Sequence, residues 1–523
     1  MQKETLFQRL LNYYHMSKEE YLLLNKKFTE EDFTDGHYFK NMENATSLVE
    51  EAMSNHEKIL IYGDYDADGV MGTSILYKAF LLRNYQVSYY VPNRYHDGYG
   101  ITLAKAQEAV KNGFGLVICV DNGVSAFEAI DYLKAHNVKV LVIDHHTIQE
   151  RIVAADVIIH PQYSEFGDIA TSGAFTAFMF TISFLGYFDK YLSTLAAISI
   201  ISDMMPIKGY NHHFLRLVFS KYQEGEFPSI DILKEEDIFD ENSIGLKIAP
   251  KINAVGRLID NESINDLVQY FVTTDKDQLY SLATWITDIN LLRKNESKIL
   301  NEKYLNLAND EPATVINSSI KEGLIGLVAN GLCSSNNKPT IVFTPCDDQT
   351  ILKGSARAPE GFNVVDCFNE LSDLLLTSGG HPSAGGCSIK SSDFDLFKKR
   401  FIDYTSSHPV VKTKKEAITL YLTEINASNF ALIKTFAPFG EGYKAPIFVL
   451  PRIMSSVLTF SKTGEHILYS LGMGAKIVGF NFSKTKVNEQ PFISLTGTLR
   501  SSVYRGYQNI EFVVKSIDNP INN

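Results

Sequence analysis

The stretch Ile59-Leu-Ile-Tyr-Gly-Asp-Tyr-Asp-Ala-Asp-Gly69 decides how the rest of the chain is interpreted. Its first four residues form an apolar run typical of a buried strand, and Asp64, Asp66 and Asp68 follow at alternate positions. Three carboxylates this close repel one another, so the pattern favours a site where cations neutralise them. The alternative is an acidic surface turn, which would be preferred for three scattered acids.

A calcium-binding loop is a second alternative, because Asp-x-Asp-x-Asp-Gly opens the EF-hand pattern. That loop needs a bidentate Glu at its twelfth position, which here is Ile75, and a helix rather than a strand before it. The calcium interpretation is therefore rejected.

Short apolar runs recur after this stretch and alternate with amphipathic segments of helical period. The runs lie at residues 58–62, 87–91, 116–120, 138–143 and 156–160. Strand and helix alternating in this way predict βαβ units, a mostly parallel sheet and helices on both of its faces.

Polar side chains follow three of these predicted strands. The third run is followed by Asp121-Asn-Gly and the fourth by Asp144, His145 and His146. The carboxyl ends of parallel strands share one edge of a sheet, so these turns should meet the three aspartates in one crevice. Each residue alone has an ordinary structural explanation, such as a helix cap or a turn. The prediction of a metal site rests on their convergence at one edge of the sheet.

Carboxylates mixed with imidazole suit manganese or magnesium, and a histidine ligand favours manganese. Two such ions would activate water for phosphoryl displacement. We assign five residues to the metals, and the second histidine, His146, to the reacting phosphate or the leaving group. The five are Asp66, Asp68, Asp121, His145 and Asp203.

Composition limits the remaining possibilities. At 523 residues the chain should hold about three domains. A net charge of −12 means that a nucleic-acid partner needs a local groove of Lys and Arg. The five cysteines form no Cys-x-x-Cys pair, and no signal peptide is evident, so we expect reduced thiols and a cytoplasmic protein. The uncharged residues 169–188 are interpreted as a buried helix, not a membrane span.

Several motifs together resemble the DHH/DHHA1 phosphoesterases, and among them the RecJ family of single-strand DNA exonucleases. They are Gly63-Asp-Tyr-Asp-Ala-Asp-Gly69, Val120-Asp-Asn-Gly123, Asp144-His-His146, Ser172-Gly-Ala174, Ser202-Asp203, Pro250-Lys-Ile-Asn-Ala-Val-Gly-Arg257 and Gly379-Gly-His-Pro-Ser-Ala-Gly-Gly386. Pro438-Phe-Gly-Glu-Gly442 and Leu495-Thr-Gly-Thr-Leu499 extend the resemblance to the C-terminal region.

The resemblance implies an α/β chain with a parallel-sheet DHH domain, a long connecting helix, a smaller α/β DHHA1 domain and a C-terminal OB-like β-barrel. The pattern of short strands after residue 410 independently suits a small barrel. The predicted boundaries are a helical lead-in 1–50, DHH domain 51–275, connecting helix 276–308, DHHA1 domain 309–408 and OB domain 409–523.

The function implied is 5′-to-3′ hydrolysis of single-stranded DNA to mononucleotides with two manganese ions, magnesium being possible, in DNA repair and recombination. Asp64 joins the metal ligands, and His146, Asp144 and His145 are the implied catalytic residues, with His146 acting on the substrate. Arg94, Arg257, Ser355 and Arg357 would bind phosphates, and Gly380 and His381 would lie in a Gly-rich loop facing the metals. A single-strand DNA-binding protein and a helicase are candidate partners, and a monomer is the default expectation.

Two alternatives remain open at this point. One is a phosphodiesterase of short oligonucleotides or cyclic dinucleotides, and the other is an inactive DNA-binding relative. The chain also departs from the RecJ pattern, since Ser319-Ile-Lys-Glu-Gly323 replaces a Trp-His-x-Gly segment and His212 follows Asn211 where Arg is usual. These departures bear on substrate handling more than on metal chemistry.

Overall fold

The computed structural model describes residues 4–33, 39–163, 170–305, 311–346, 349–410, 416–472, 474–487, 489–504 and 507–519. The predicted boundary between 308 and 309 lies outside these residues. Contacts divide the chain into two units. The first comprises Met1–Glu30, Met204–Ser220 and Lys414–Asn523, and the second comprises Glu31–Asp203 and Lys221–Thr413.

The strands are numbered in chain order. They are β1 Lys58–Tyr62, β2 Ser88–Tyr90, β3 Phe114–Val120, β4 Lys139–Ile143, β5 Val157–Ile159, β6 Thr314–Asn317, β7 Thr340–Pro345, β8 Ile351–Arg357, β9 Thr377–His381, β10 Ala384–Lys390, β11 Ile418–Thr419, β12 Phe448–Met454, β13 Ile467–Gly472, β14 Ala475–Gly479, β15 Phe492–Tyr504 and β16 Tyr507–Asp518.

The helices are numbered in the same way. They are α1 Leu6–Tyr13, α2 Lys18–Leu24, α3 Met42–Ser54, α4 Ala67–Leu82, α5 Leu103–Lys111, α6 Phe127–Ala135, α7 Gly173–Leu185, α8 Lys190–Ser202, α9 Gly209–Lys221, α10 Pro228–Lys234, α11 Glu241–Ser243, α12 Ala249–Leu258, α13 Asp266–Val272, α14 Lys276–Leu305, α15 Glu322–Asn336, α16 Val364–Glu370, α17 Phe394–Ser407, α18 Ala427–Lys434 and α19 Lys484–Val487.

The first sheet is parallel throughout and has the strand order β2-β1-β3-β4-β5. Helices α5 and α6 pack on one another and on this sheet, and α4 packs against α7 and α8. Strands β1, β3 and β4 are buried along most of their length, which explains their apolar composition. Strand order reverses between β1 and β3, and ligands bind at such a point in open parallel sheets. The predicted parallel-sheet fold is confirmed.

Helix α14 leads to a second five-stranded sheet, which is mixed and has the order β6-β7-β8-β10-β9. Its core includes Phe343, Phe397 and Phe401, and α15 packs on β7 and β8. The Gly-rich stretch at residues 379–386 forms the hairpin of β9 and β10, so it is not the loop that the sequence predicted. The second α/β domain is otherwise as expected.

The other unit is built on a mixed sheet of order β11-β12-β15-β16-β14-β13. Its core joins Leu6 and Leu10 of α1 to Phe436, Phe448 and Phe512. Part of the N-terminal segment therefore belongs to the core of the C-terminal domain, through contacts that span more than 400 residues, such as that between Arg9 and Glu424.

None of the described helices combines the length and the apolar character needed to cross a bilayer.

Candidate metal centre

The turn after β1 places its three aspartates at the start of α4. Asp66 precedes the helix as its N-cap, and its Oδ1 accepts the backbone N–H groups of Asp68 (2.9 Å) and Gly69 (3.1 Å). Asp64 is 2% exposed, and its Oδ1 has no hydrogen-bond partner among the described residues. The chain thus fixes Asp66 by capping and leaves an oxygen of Asp64 available.

Asp68 is anchored by the two helices that pack on α4. Its oxygens accept the backbone N–H groups of Gly173 and Ala174, both at 2.8 Å, at the start of α7. Ser199 of α8 donates its hydroxyl to Oδ1 at 2.5 Å. A carboxylate has about four lone-pair positions, so three donors leave room for one further bond.

The end of β3 contributes Asp121 in the left-handed backbone region, with a φ of 60°. This conformation is uncommon for residues other than glycine and directs the side chain away from the strand path. Asp121 is 2% exposed, and no described residue donates a hydrogen bond to its Oδ1. Asn122 secures the turn, since its Nδ2 donates to the carbonyls of Tyr62, Gly63 and Val120 and so ties β1 to β3.

The end of β4 holds Asp144, His145 and His146. Asp144 is fully buried, and its Oδ1 accepts the backbone N–H groups of both histidines and the Nδ1–H of His146 at 2.8 Å. Burial raises the pKa of Asp144, but the hydrogen bond and charge of His146, the backbone N–H of Val124 and the charge of His145 together outweigh burial and lower the pKa to about 2. Burial lowers the pKa of His146, whereas the bond to Asp144 raises it, to about 9. Asp144 therefore orients His146 and keeps it protonated.

The Nε2 of His145 lies close to three carboxylates. It is 3.2 Å from Oδ1 of Asp121, 3.5 Å from Oδ2 of Asp203 and 3.6 Å from Oδ2 of Asp68. Asp203 follows the last turn of α8, and its Oδ2 also has no hydrogen-bond partner among the described residues. The five carboxylates that meet here, called the carboxylate cluster below, are Asp64, Asp66, Asp68, Asp121 and Asp203.

The charges of these residues fit a divalent metal. Burial raises the pKa of Asp64, Asp66 and Asp121, and neighbouring carboxylates raise it further. For Asp203 the same two causes raise the pKa to about 9. Ligand atoms of Asp64, Asp66 and Asp121 lie within 4.8 Å of one another, as do those of Asp68, His145 and Asp203. These residues could hold metal ions, which would relieve the repulsion.

Arg257 lies in the same unit as Arg94, Arg293 and Arg357, whose charges lower its pKa. These four residues are called the arginine cluster below. Burial lowers the pKa of Arg257 to about 10, and the charges of Arg94, Arg293 and Arg357 lower it further. Among the described residues none of the four has an ion-pair partner. Arg94 lies over the ring of Tyr65, at 4.1 Å from the centroid. Half-buried guanidinium groups without a counterion among the described residues indicate a site for an anion.

The predicted phosphate-binding residues are divided between this cluster and the edge of the second sheet. Ser355 and Arg357 lie in β8, where Nη1 of Arg357 donates to Oγ of Ser355 at 3.0 Å. Gly380 and His381 lie in the exposed strand β9. Among the described residues neither Gly380 nor His381 makes a hydrogen bond or an ion pair with the carboxylate cluster, so their role stays a prediction.

Sequence reasoning missed three residues at this site. Asn122 was quoted only as part of a motif, Tyr99 was not considered, and Arg293 was treated as part of a charged connecting helix. Tyr99 Oη lies 3.0 Å from Nε2 of His146 and 3.3 Å from the carbonyl oxygen of Asp121. Asn122 carried the only usable signal, since Asp-Asn-Gly directly follows a strand.

Three family models match successive parts of the chain. They are the DHH family N-terminal domain over residues 58–200, the DHHA1 domain over residues 311–407 and the RecJ OB domain over residues 418–516. The predicted resemblance to DHH/DHHA1 proteins with a RecJ-type OB domain is confirmed.

Curated relatives of similar sequence carry the name single-stranded-DNA-specific exonuclease RecJ. The Bacillus subtilis protein is 26% identical over 508 residues, which cover 92% of this chain and 64% of the relative. The Haemophilus influenzae protein is 29% identical over 449 residues, which cover 78% of this chain and 77% of the relative. The chain therefore spans less than two thirds of the Bacillus subtilis relative.

Solved structures show the same fold. RecJ from Thermus thermophilus in complex with Mn²⁺ has a TM-score of 0.83 at 23% identity, covering 98% of this chain and 76% of that one. A second structure, described as exonuclease RecJ bound to manganese, has a TM-score of 0.61 at 25% identity, covering 71% of this chain and 96% of that one.

Proposed function

Because the chain carries the DHH, DHHA1 and RecJ OB domains in this order, we propose that it is a 5′-to-3′ exonuclease of single-stranded DNA. It would release mononucleotides by metal-dependent phosphodiester hydrolysis, in DNA repair and recombination. One observation carries this proposal. The carboxylate cluster, which needs cations to balance its charge, lies in the same unit as the arginine cluster, which needs an anion.

Two groups of residues would hold two manganese ions, and magnesium also suits their oxygen atoms. Asp64, Asp66 and Asp121 form one group, and Asp68, His145 and Asp203 form the other. When bound, such a pair of ions activates water and stabilises the leaving oxygen of an in-line displacement. The chain itself supplies the fixed positions, through the cap at Asp66 and the three donors to Asp68.

His146 would act on the reacting phosphate or on the leaving oxygen. Its Nδ1–H is held by Asp144, so the opposite nitrogen, Nε2, is free to present a proton to the substrate once Tyr99 releases it. The side chain of His146 is 42% exposed, which leaves a path for the substrate. Asp144 and Tyr99 are positioning residues in this arrangement.

The arginines would bind phosphates of the strand. A guanidinium fork matches phosphate oxygens, and Arg94, Arg257 and Arg357 with Ser355 are the predicted candidates for this contact. The charge of Asp66 raises the pKa of Arg257, and the charge of Arg94 lowers the pKa of Asp64 and of Asp66. Arg94 and Arg257 therefore lie beside the carboxylate cluster. Gly380 and His381 would contact the strand from the DHHA1 domain.

The unit with the OB domain would bind the rest of the strand. Phe480 is 51% exposed directly after β14, and the ring of His466 lies 5.8 Å from it. An exposed aromatic ring gives a base a surface for stacking without sequence preference. A phosphodiesterase of dinucleotides would have no use for such a surface, which favours the exonuclease over that alternative.

The cellular setting belongs to the proposal as well. A chain with this activity would act in the cytoplasm on single-stranded DNA. A single-strand DNA-binding protein and a helicase would be its partners, and a monomer is the simplest assembly.

The proposal is tested with single-stranded DNA labelled at its 5′ or its 3′ end, with manganese and then with EDTA. We expect labelled mononucleotide from the 5′ end only, no product in EDTA, and at least a hundredfold loss of rate in Asp66→Ala and His145→Ala. Asp131→Ala, which removes an exposed carboxylate paired with Arg151, is the matched control and should keep full activity. Cleavage of dinucleotides but not of long strands would support the phosphodiesterase instead, and binding without cleavage would support the inactive relative.

A further inference from the structure

Arg293 lies on α14, the helix that connects the DHH and DHHA1 domains and that packs against α12 and α15. Its Nε and Nη2 donate to Oδ1 of Asn290 at 3.1 and 2.9 Å, one turn earlier in the same helix. Asn290 is 4% exposed, so this double contact fixes the guanidinium group. A guanidinium has five N–H donors, and three of those of Arg293 remain available.

The charge of Arg293 is not balanced by the described part of the protein. Among the described residues it has no ion-pair partner, although its side chain is half-buried. Burial lowers its pKa, and no carboxylate in the described part of the chain opposes that effect. An arginine kept for stability alone would normally be paired, because a desolvated and unpaired charge costs free energy.

The position of Arg293 relative to the carboxylate cluster is also informative. The charge of Arg293 lowers the pKa of Arg257, and the charge of Asp66 raises it. Arg293 itself is not acted on by any carboxylate of the described residues. Ile289, about one turn before Arg293 on α14, packs against the hydrophobic cluster that contains Leu258, the residue after Arg257, so α14 brings Arg293 near Arg257.

We propose that Arg293 binds a backbone phosphate of the DNA strand, one that lies farther from the cleaved bond than the phosphate bound by Arg257. This inference rests on the proposed function and adds to it a contact made with a phosphate that does not react. Such a contact exists only when the substrate has more than one internucleotide phosphate. Arg293 thereby favours oligonucleotides over dinucleotides.

The test is the salt dependence of kcat/KM on 5′-phosphorylated oligothymidylate with manganese, for the wild type, Arg293→Gln and Arg293→Lys. Loss of one phosphate contact reduces the slope of log kcat/KM against log salt concentration by about 0.7 for a single strand. We expect this change in Arg293→Gln, a KM raised several-fold with a smaller effect on kcat, and recovery of the slope in Arg293→Lys. Arg400→Gln, which removes an arginine paired with Asp373, is the matched control and should leave the slope unchanged.

A second variant separates charge from packing. Asn290→Asp keeps the shape of the contact but pairs Arg293 with a carboxylate, so it should lower the slope as Arg293→Gln does while the thermal stability is kept. An unchanged slope in both variants would overturn the inference. So would equal losses of rate and stability in the Gln and Lys variants, because that result describes a structural arginine.

Failure of the proposed function would look different. If the wild-type chain cleaves no DNA, the exonuclease function is refuted. Fluorescence anisotropy of the labelled oligothymidylate in the same salt series would still test whether Arg293 binds a phosphate. A reduced binding slope in Arg293→Gln would support the phosphate contact, and an identical slope would refute it.

Discussion

The Nδ1 of His146 lies 2.8 Å from Oδ1 of Asp144, and the same carboxylate accepts the backbone N–H groups of His145 and His146. One buried aspartate thus sets the backbone turn of two adjacent histidines and the ring orientation of His146. Asp144 lies outside the set of residues whose ligand atoms converge, so its part in the chemistry is to position them.

We expect Asp144→Asn to lower kcat by about 10- to 100-fold, as loss of a residue that orients a functional histidine usually does. The amide keeps the shape but loses the charge that holds the proton on His146. Because the two residues act as one unit, the double variant Asp144→Asn, His146→Gln should be no slower than His146→Gln alone. Steady-state kinetics on single-stranded DNA measure this, and losses that multiply would contradict it.

Removal of metal should make stability depend on pH in a defined direction. The folded pKa of Asp203 is about 9, above the value of about 3.9 for an unfolded aspartate. Between these values the metal-free folded state binds more protons than the unfolded state, so its stability falls as pH rises. Manganese should therefore raise the Tm more at about pH 8 than at about pH 5.

The control for this measurement is Asp203→Asn without metal, which should weaken the dependence of Tm on pH. A Tm gain from manganese that is the same at both pH values would show that the carboxylate cluster does not repel as described.

Gly326 of α15 allows the close approach of Ser355 and Arg357. A Cβ built at this position would lie 3.1 Å from both Nη2 of Arg357 and Oγ of Ser355. We expect Gly326→Ala to raise KM for single-stranded DNA several-fold by displacing these two side chains. Helix propensity favours alanine by about 1 kcal/mol, so thermal stability should be kept. Asn330→Ala, at an exposed position of the same helix, is the control, and equal KM values in the two variants would contradict the account.

His212 predicts an acid sensitivity of the unit that holds the OB domain. The side chain is fully buried, and its Nε2 lies 3.4 Å from the carbonyl oxygen of Phe436. Burial lowers its pKa to about 3, below the value of about 6.5 in the unfolded chain. The unfolded state binds the extra proton in this window, so stability is lost as pH falls from about 6.5 towards 3, by up to about 1.4 kcal/mol per pH unit.

The measurement is hydrogen exchange of peptides from α18 and β12 at about pH 7 and pH 5, corrected for intrinsic rates. His212→Gln should lose less protection on acidification than the wild type. His15→Gln removes an exposed histidine of the same unit and should behave as the wild type. Equal losses of protection in all three proteins would contradict a neutral buried His212.

The sequence predicted that these side chains converge, because most of them follow strands; their part as metal ligands stays a prediction. Once an apolar run is assigned to a parallel strand, its carboxyl end is fixed at the edge of the sheet, and Asp64, Asp121 and His145 must lie near one another. The five strands of the first sheet and helix α14 lie within the predicted segments or close to them. No comparable rule connects a helical residue to a site, and this is why Arg293 was missed.

The packing between distant parts of the chain could not be predicted from the sequence either. The core that joins Leu6 to Phe436 depends on side chains more than 400 positions apart, and no local pattern in residues 1–50 identifies that partner. The family resemblance implied a loop for the Gly-rich stretch around Gly380. In the structure its backbone pairs closely with β10, and a Cβ at Gly380 would lie 2.4 Å from the carbonyl oxygen of Ala384.

The central claim is that the carboxylate cluster holds the metal that performs the hydrolysis. Manganese content and nuclease rate should be measured on the same dialysed samples of the wild type, Asp121→Ala and the control Asp131→Ala. The account predicts two ions per chain and full activity in the wild type and the control. It predicts loss of at least one ion, with activity reduced at least a hundredfold, in Asp121→Ala. Wild-type rates that persist in Asp121→Ala, or cleavage by a chain that holds no metal, would contradict it.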